Sequence, residues 1–217
     1  MRYPRGRRIL DSLSDEIAVV GSRFIQSGIR VVMHPDQFVV LNSDSSATVQ
    51  NSISFLQAQA DILDALKQPR TAWAIIEIHG GKSGRADELA RAILALPIAV
   101  RSRIALENDE YAYGAKEILD ICRRSGAPMV FDAHHHVIHE ALKSYEDESV
   151  GQMVDEARTT WPDPTWQLVH ISNGRTRFED RGHSDFIDVM PSSYSKVSWI
   201  EVEAKMKEQA IFKLRAG

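Results

Sequence analysis

One cysteine in 217 residues leaves no disulfide framework and no cysteine zinc cluster, and makes a reducing cytoplasm the simplest expected setting. No apolar run approaches the roughly 20 residues that cross a bilayer, and the start, MRYPRGRR, lacks the apolar stretch of a signal peptide. No membrane partner is expected. Positive charge is not in excess either: 26 Lys and Arg stand against 30 Asp and Glu, a formal net charge of −4. Such a balance offers no general attraction for nucleic acid, so a DNA partner has to be held locally or through metal. Hydrophobic residues, at 43%, suffice for a large soluble core and argue against a disordered chain.

What the chain does have is alternation. Short apolar runs at 29–34, 72–79, 102–108, 128–132, 166–172 and 197–205 read as strands. Between them, 46–67, 86–96, 115–126 and 149–161 carry helical spacing, an opening helix covers 15–28, and a last helix follows the sixth strand. Along 46–67, Ile53, Leu56, Ala60, Leu63 and Leu66 fall on or near one stripe. Continuous apolar strands alternating with helices predict a parallel sheet covered on both faces. The expectation is an α/β fold, a TIM-type barrel in one domain over 1–217 and incomplete, with six of eight strand–helix units visible. Six strands cannot close such a barrel unaided, so open edges are expected to invite self-association.

The residue ending each strand is of a kind that binds metal. His34, His79 and Glu107 end the first three, Asp132 with His135 the fourth, His170 the fifth and Glu203 the sixth. An isolated polar strand end is more often just a satisfied hydrogen-bonding group. Six together, on the rim where parallel strands of a barrel converge, predict a nitrogen and oxygen site with donors for more than one ion. His183 lies in the loop after the fifth strand and opens onto the same rim. In VFDAHHHVIH, residues 130–139, the three consecutive histidines point in different directions, so one or two are expected to reach metal. The others would support ligands or meet substrate, and His139 reads as a surface or helix residue.

Three features are set aside. GGKSG, 80–84, mimics the end of a phosphate loop, but that pattern needs glycine where Ile76 stands. The basic start, Arg2, Arg5, Arg7 and Arg8, reads as a solvated tail. Cys122 occupies an apolar helical position and reads as core.

The blocks MHPDQFVVLNS, IEIHGGKSG, ALENDE, VFDAHHH, VHIS, RGHSDFI and EVEAKMKEQAI, in this order, resemble those of the UV damage endonuclease family. The resemblance implies a metal-dependent (β/α)₈ barrel related to endonuclease IV. It implies an enzyme that cuts the DNA backbone on the 5′ side of ultraviolet photoproducts, with damaged double-stranded DNA as partner. It also implies that His34, His79, Glu107, Asp132, His135, His170, His183 and Glu203 hold two or three divalent ions, manganese favoured. Glu107, His135 and Glu203 would stand at the chemistry. Gln37 and Phe38 would probe the damaged base pair, with Asn108 and Lys205 as further DNA-binding positions. The chemistry agrees with the ligand set: phosphodiester hydrolysis needs an activated water and neutralised charge, which paired divalent ions supply without a nucleophilic side chain.

The chain departs from the family at three places. Leu168 stands where the family has a carboxylated lysine that bridges metals, which weakens one ion. Phe38 replaces a tyrosine and keeps its stacking face. The family's first two strands, which contribute to the lesion-binding surface, have no counterpart. Two alternatives therefore stay open: an inactive remnant of such a nuclease, favoured by Leu168, and a sugar isomerase or epimerase, opposed by the HPDQF and HGG blocks.

Overall fold

The computed structural model describes residues 4–35 and 37–216, and the chain divides into two compact units, 1–105 and 106–217. Asp36 and Arg2, and the side chain of Arg5, lie outside the described residues.

The first unit opens with helices α1 (Pro4–Ser12), α2 (Ser14–Gln26) and α3 (Ser46–Ala65). The basic start is helical from Pro4, and Arg7 and Arg8 on it are exposed to solvent. Arg7 on α1 pairs with Asp11 one turn on, at 3.2 Å, and with Asp61 of α3, at 2.8 Å. Helix α3 is capped by the Ser45 hydroxyl, which accepts from Thr48 N. It buries Ser52, Leu56, Ala60 and Leu63 on one stripe. Ser52 is tolerated there because its hydroxyl accepts from Val40 N at 2.9 Å.

Strand β1 (Ile76–His79) follows, then α4 (Ala86–Leu94), α5 (Ile98–Arg101) and β2 (Ile104–Glu107), which runs across the division. The strand expected at 29–34 is reduced to a single parallel bridge, Met33 with Ile76. Only Met33 engages, through its N–H to Ile75 O (3.0 Å) and its carbonyl from Glu77 N (2.8 Å). Earlier in that run the Arg30 guanidinium takes the carbonyls of Trp73 (2.7 Å) and Ala72 (3.0 Å). Side-chain bonding thus occupies acceptors that a longer ladder would use. Five of the six expected strands are present.

The second unit adds α6 (Ala115–Ser125), β3 (Met129–Asp132), α7 (Ala133–His139), α8 (Glu148–Arg158), β4 (Leu168–Ile171), β5 (Trp199–Val202) and α9 (Glu208–Ala216), with short 3₁₀ turns at Pro164–Trp166 and Ser192–Lys196. Strands β2 to β5 are parallel and pair in chain order, with Glu107 beside Val130, Asp132 beside His170, and His170 beside Glu201. Helix α6 ends at Gly126, whose φ of 76° closes the helix by a 2.8 Å bond from its N–H to Cys122 O. Cys122 is buried in that helix, as expected, and burial pushes its thiol pKa up, away from reactivity. Strands β2, β3 and β4 are buried along their whole length, as covered parallel strands are, whereas β5 is half-buried throughout.

Candidate metal centre

Each strand of the second unit delivers its last polar residue to one place. Glu107 ends β2, Asp132 ends β3, His170 is the third residue of β4, and Glu203 follows β5. Two fastenings set these ends level. Asn108 is fully buried, donates to Asp132 O (2.9 Å) and accepts from Asp132 N (3.0 Å), tying the end of β2 to that of β3. The Tyr194 hydroxyl donates to His170 O (2.7 Å) and accepts from Ala133 N (3.1 Å), tying β3 to β4.

The histidine run begins a helix at once. Asp132 caps α7 by accepting from His135 N through Oδ1 at 2.7 Å. Helical turning then separates the three rings. His135 enters the centre. His134 is buried neutral: burial lowers its pKa, its Nε2–H donates to Asp180 O (2.8 Å), and Nδ1 accepts from the Tyr145 hydroxyl (2.7 Å). His136, also lowered by burial, meets Ser149 Oγ at 3.0 Å. His139 lies on the same helix, half-buried, and donates to Asp109 O (3.2 Å).

Donor atoms of Glu107, Asp132, His135 and Glu203 lie within 4.8 Å of one another, as do those of His135, His183 and Glu203. His170 Nδ1 is 3.2 Å from Glu107 Oε1 and 3.5 Å from Glu203 Oε1. His183 Nε2 is 3.8 Å from Glu203 Oε2. Two carboxylates that the strand-end reading passed over join in: Glu110 Oε2 lies 2.8 Å from His135 Nδ1, and Glu201 Oε2 lies 3.4 Å from His170 Nε2. Glu201 sits two residues before Glu203, so the two-residue repeat of a strand was the available signal.

In the first unit His34 and His79 meet edge to face, ring centroids 5.5 Å apart, and Glu77 lies 3.9 Å from His34 Nδ1. Gln37 and Phe38 form a turn there. Phe38 is 59% exposed and packs edge to face on Phe55 at 5.4 Å. Lys205 is exposed beyond β5, held by its N–H to Ser184 O (3.0 Å).

The loop carrying His183 is fixed by crowding. Gly174 and His183 form an antiparallel bridge, and a Cβ on Gly174 would meet Arg177 O at 2.0 Å and Phe178 O and Asp180 O at 3.0 Å. Only glycine lets the backbone turn back so closely.

These donors suit divalent cations. Asp132 is fully buried, and its Oδ2 has no hydrogen-bond partner, an arrangement costly for a carboxylate unless a cation meets it. Atoms bound to one ion at about 2.1 Å lie roughly 3–4 Å apart, which the cluster allows. The charge imbalance shows in His135: burial alone would lower its pKa, but Asp132, Glu110 and Glu107 outweigh it and raise the value to about 10. Burial raises Asp132, yet nearby His135 and His170 hold it below the usual carboxylate range.

Covered parallel strands whose ends gather a mixed His and carboxylate cluster define an α/β barrel protein with candidate metal-ligand groups at the active-site rim. Residues 4–216 match the family model described as UV-endonuclease UvdE, and the chain belongs to that family. It is 50% identical over 211 residues to the UV DNA damage endonuclease of Nostoc sp., covering 97% of this chain and 66% of that protein. It superimposes on the crystal structure of SacUVDE with TM-score 0.78 at 28% identity, covering 95% of this chain and 72% of that one. Endonuclease IV from Thermus thermophilus shares the fold, with TM-score 0.65 at 14% identity and coverage of 93% and 80%. The chain thus spans about two thirds of the length of the Nostoc relative. Among the described residues no helix is long and apolar enough to cross a membrane.

Proposed function

We propose that this chain is a metal-dependent endonuclease of DNA repair that nicks the backbone 5′ to ultraviolet photoproducts. The observation carrying the proposal is the convergence of Glu107, Asp132, His135 and Glu203 donor atoms within 4.8 Å, in a chain that the UvdE family model matches over residues 4–216. These four, with His170 and His183, are the proposed ligands in the second unit, and His34 and His79 those in the first, for two or three ions in all, manganese favoured. Divalent ions bound there supply an activated water and charge neutralisation on the phosphate, which no side chain in the cluster offers. Glu107 and Glu203 hold the cluster from opposite ends of the β2–β5 ladder. Asn108 positions Asp132 from behind. Phe38 and Gln37 form an exposed probe whose aromatic face suits a base pair weakened by a lesion, and Lys205 offers a cation to the backbone. The half-buried β5, with Phe212 69% exposed in the same unit, favours self-association, which sedimentation against concentration tests.

Glu107→Gln preserves shape and removes the charge. Manganese-dependent nicking of irradiated duplex should disappear while the circular dichroism spectrum stays that of the parent. Nicking at the parent's rate would remove Glu107 from the centre. Leu168, buried on β4 two residues before His170, favours a second reading: a protein that binds metal without turning over. A parent that binds manganese and leaves irradiated duplex intact supports that reading over the nuclease.

A further inference from the structure

The loop that brings His183 to the cluster also carries Arg175, Arg177 and Arg181, all exposed. The seven residues RTRFEDR, 175–181, set three arginines against Glu179 and Asp180, a net positive stretch in a net-acidic chain. Arg181 is placed by an aromatic: its guanidinium lies over the Tyr111 ring, 4.3 Å from the centroid. Tyr111 is 64% exposed, so the pair is not part of a core. Both partners are tied closely to the metal ligands. Arg181 is two residues before His183, while Tyr111 follows Glu110, which bonds His135 at 2.8 Å. The Tyr111 backbone is fixed as well, because Asp109 Oδ1 accepts from Tyr111 N (2.7 Å), Ala112 N and Tyr113 N (3.4 Å). The loop on the other side is anchored by His134 on Asp180 O.

A guanidinium held over a ring spends no N–H group on a charged acceptor there, and its planar fork matches phosphate oxygens. Among the described residues no carboxylate pairs with Arg181 to occupy that fork. We infer that Arg181, held in place by Tyr111, binds a backbone phosphate of the DNA beside the metal cluster. This contact rests on the nuclease reading above. Tyr111 is a positioning residue, acting through Arg181.

The test measures binding of a fluorescent irradiated duplex in manganese, with salt varied between about 50 and 200 mM. Losing one phosphate contact makes the slope of log affinity against log salt shallower by about 0.9, so parent and Arg181→Ala affinities should converge by about 3.5-fold across that range. Arg181→Lys should keep the parent's slope with weaker binding, since it keeps charge and loses the planar fork. Tyr111→Phe should bind as the parent does, and Tyr111→Ala should not. Manganese-induced thermal stabilisation should be unchanged in all four variants. Arg181→Ala with the parent's slope and affinity would overturn the contact. So would an Arg181→Ala protein whose manganese stabilisation is lost, because the residue would then be serving the His183 loop. A parent that binds manganese but no DNA at the lowest salt would overturn the nuclease reading, and this contact with it.

Discussion

Asp132→Asn separates the two tasks of one carboxylate. Oδ1 caps α7 by accepting from His135 N at 2.7 Å, and asparagine caps a helix as well as aspartate does. Oδ2 is buried without a hydrogen-bond partner, and there asparagine, with its carbonyl kept on His135 N, presents an NH2 that has no lone pair to offer a cation. The variant should fold and lose metal. The metal-free variant also starts somewhat less stable, because His135 and His170 favour the ionised carboxylate over the protonated one. Each protein is therefore compared with itself, with and without manganese. At a metal concentration about 1,000 times Kd, binding stabilises the parent by about 4.1 kcal/mol. Losing even a supporting partner of a ligand costs about 10–100-fold in metal affinity, so a direct ligand should cost at least about a hundredfold. At the same metal concentration the stabilisation then falls to about 1.4 kcal/mol, a deficit of about 2.7 kcal/mol. For a chain of this size that is a melting shift smaller than the parent's by roughly 5–11 °C. Differential scanning fluorimetry in EDTA and in manganese reads it directly. A manganese-induced shift equal to the parent's would refute the assignment of Asp132 as a ligand.

Leu168→Lys, assayed with bicarbonate, should tighten manganese binding or raise nicking, because position 168 shares a strand face with His170; a folded variant with unchanged metal stoichiometry and no gain in nicking would count against a bridge there. Arg103, fully buried, donates to Gln68 O (2.7 Å) and Pro69 O (3.1 Å) and pairs with Asp64 (2.8 Å). Arg103→Met should cost about 3–5 kcal/mol in urea unfolding by stranding those acceptors, and a loss under about 1 kcal/mol would contradict it. The raised pKa of His135, about 10 against an ordinary 6.5, means its protonation stabilises the metal-free fold fully below about pH 6.5 and ever less as pH rises through about 10. Melting in EDTA, parent against His135→Asn, should show that difference shrinking with alkalinity; a difference that grows would reverse the sign argued here.

How far these features could be seen in the residues alone depended on how local they are. Strands β1 to β5 and helices α4, α6 and α8 between them announce themselves by their apolar pattern, and Gly126 marks the end of α6 because a left-handed terminus needs it. The gathering of Glu107, Asp132, His170 and Glu203 at strand ends was legible for the same reason, since parallel strands bring like ends together. The fate of the histidine run was not: whether His134, His135 or His136 reaches the centre depends on α7 starting directly at its Asp132 cap. Glu110 was hidden because its position follows from a loop folded around the Asp109 carboxylate, which has no period. The run at 29–34 misled because Arg30, by reaching back to the carbonyls at 72 and 73, leaves only Met33 to pair.

Gly174 has a consequence for how mutational data on this protein would read. It has no side chain with which to hold an ion or move a proton. Yet the three carbonyls around it leave no space for a methyl group, and the bridge it makes sets where His183 arrives. A saturation screen scored on repair of irradiated DNA would therefore rank position 174 among the intolerant sites, beside the proposed ligands. The arginines a few residues on would tolerate change by degrees, since each contributes charge and none fixes the path. Intolerance at 174 would record where the backbone has to pass, not where chemistry occurs.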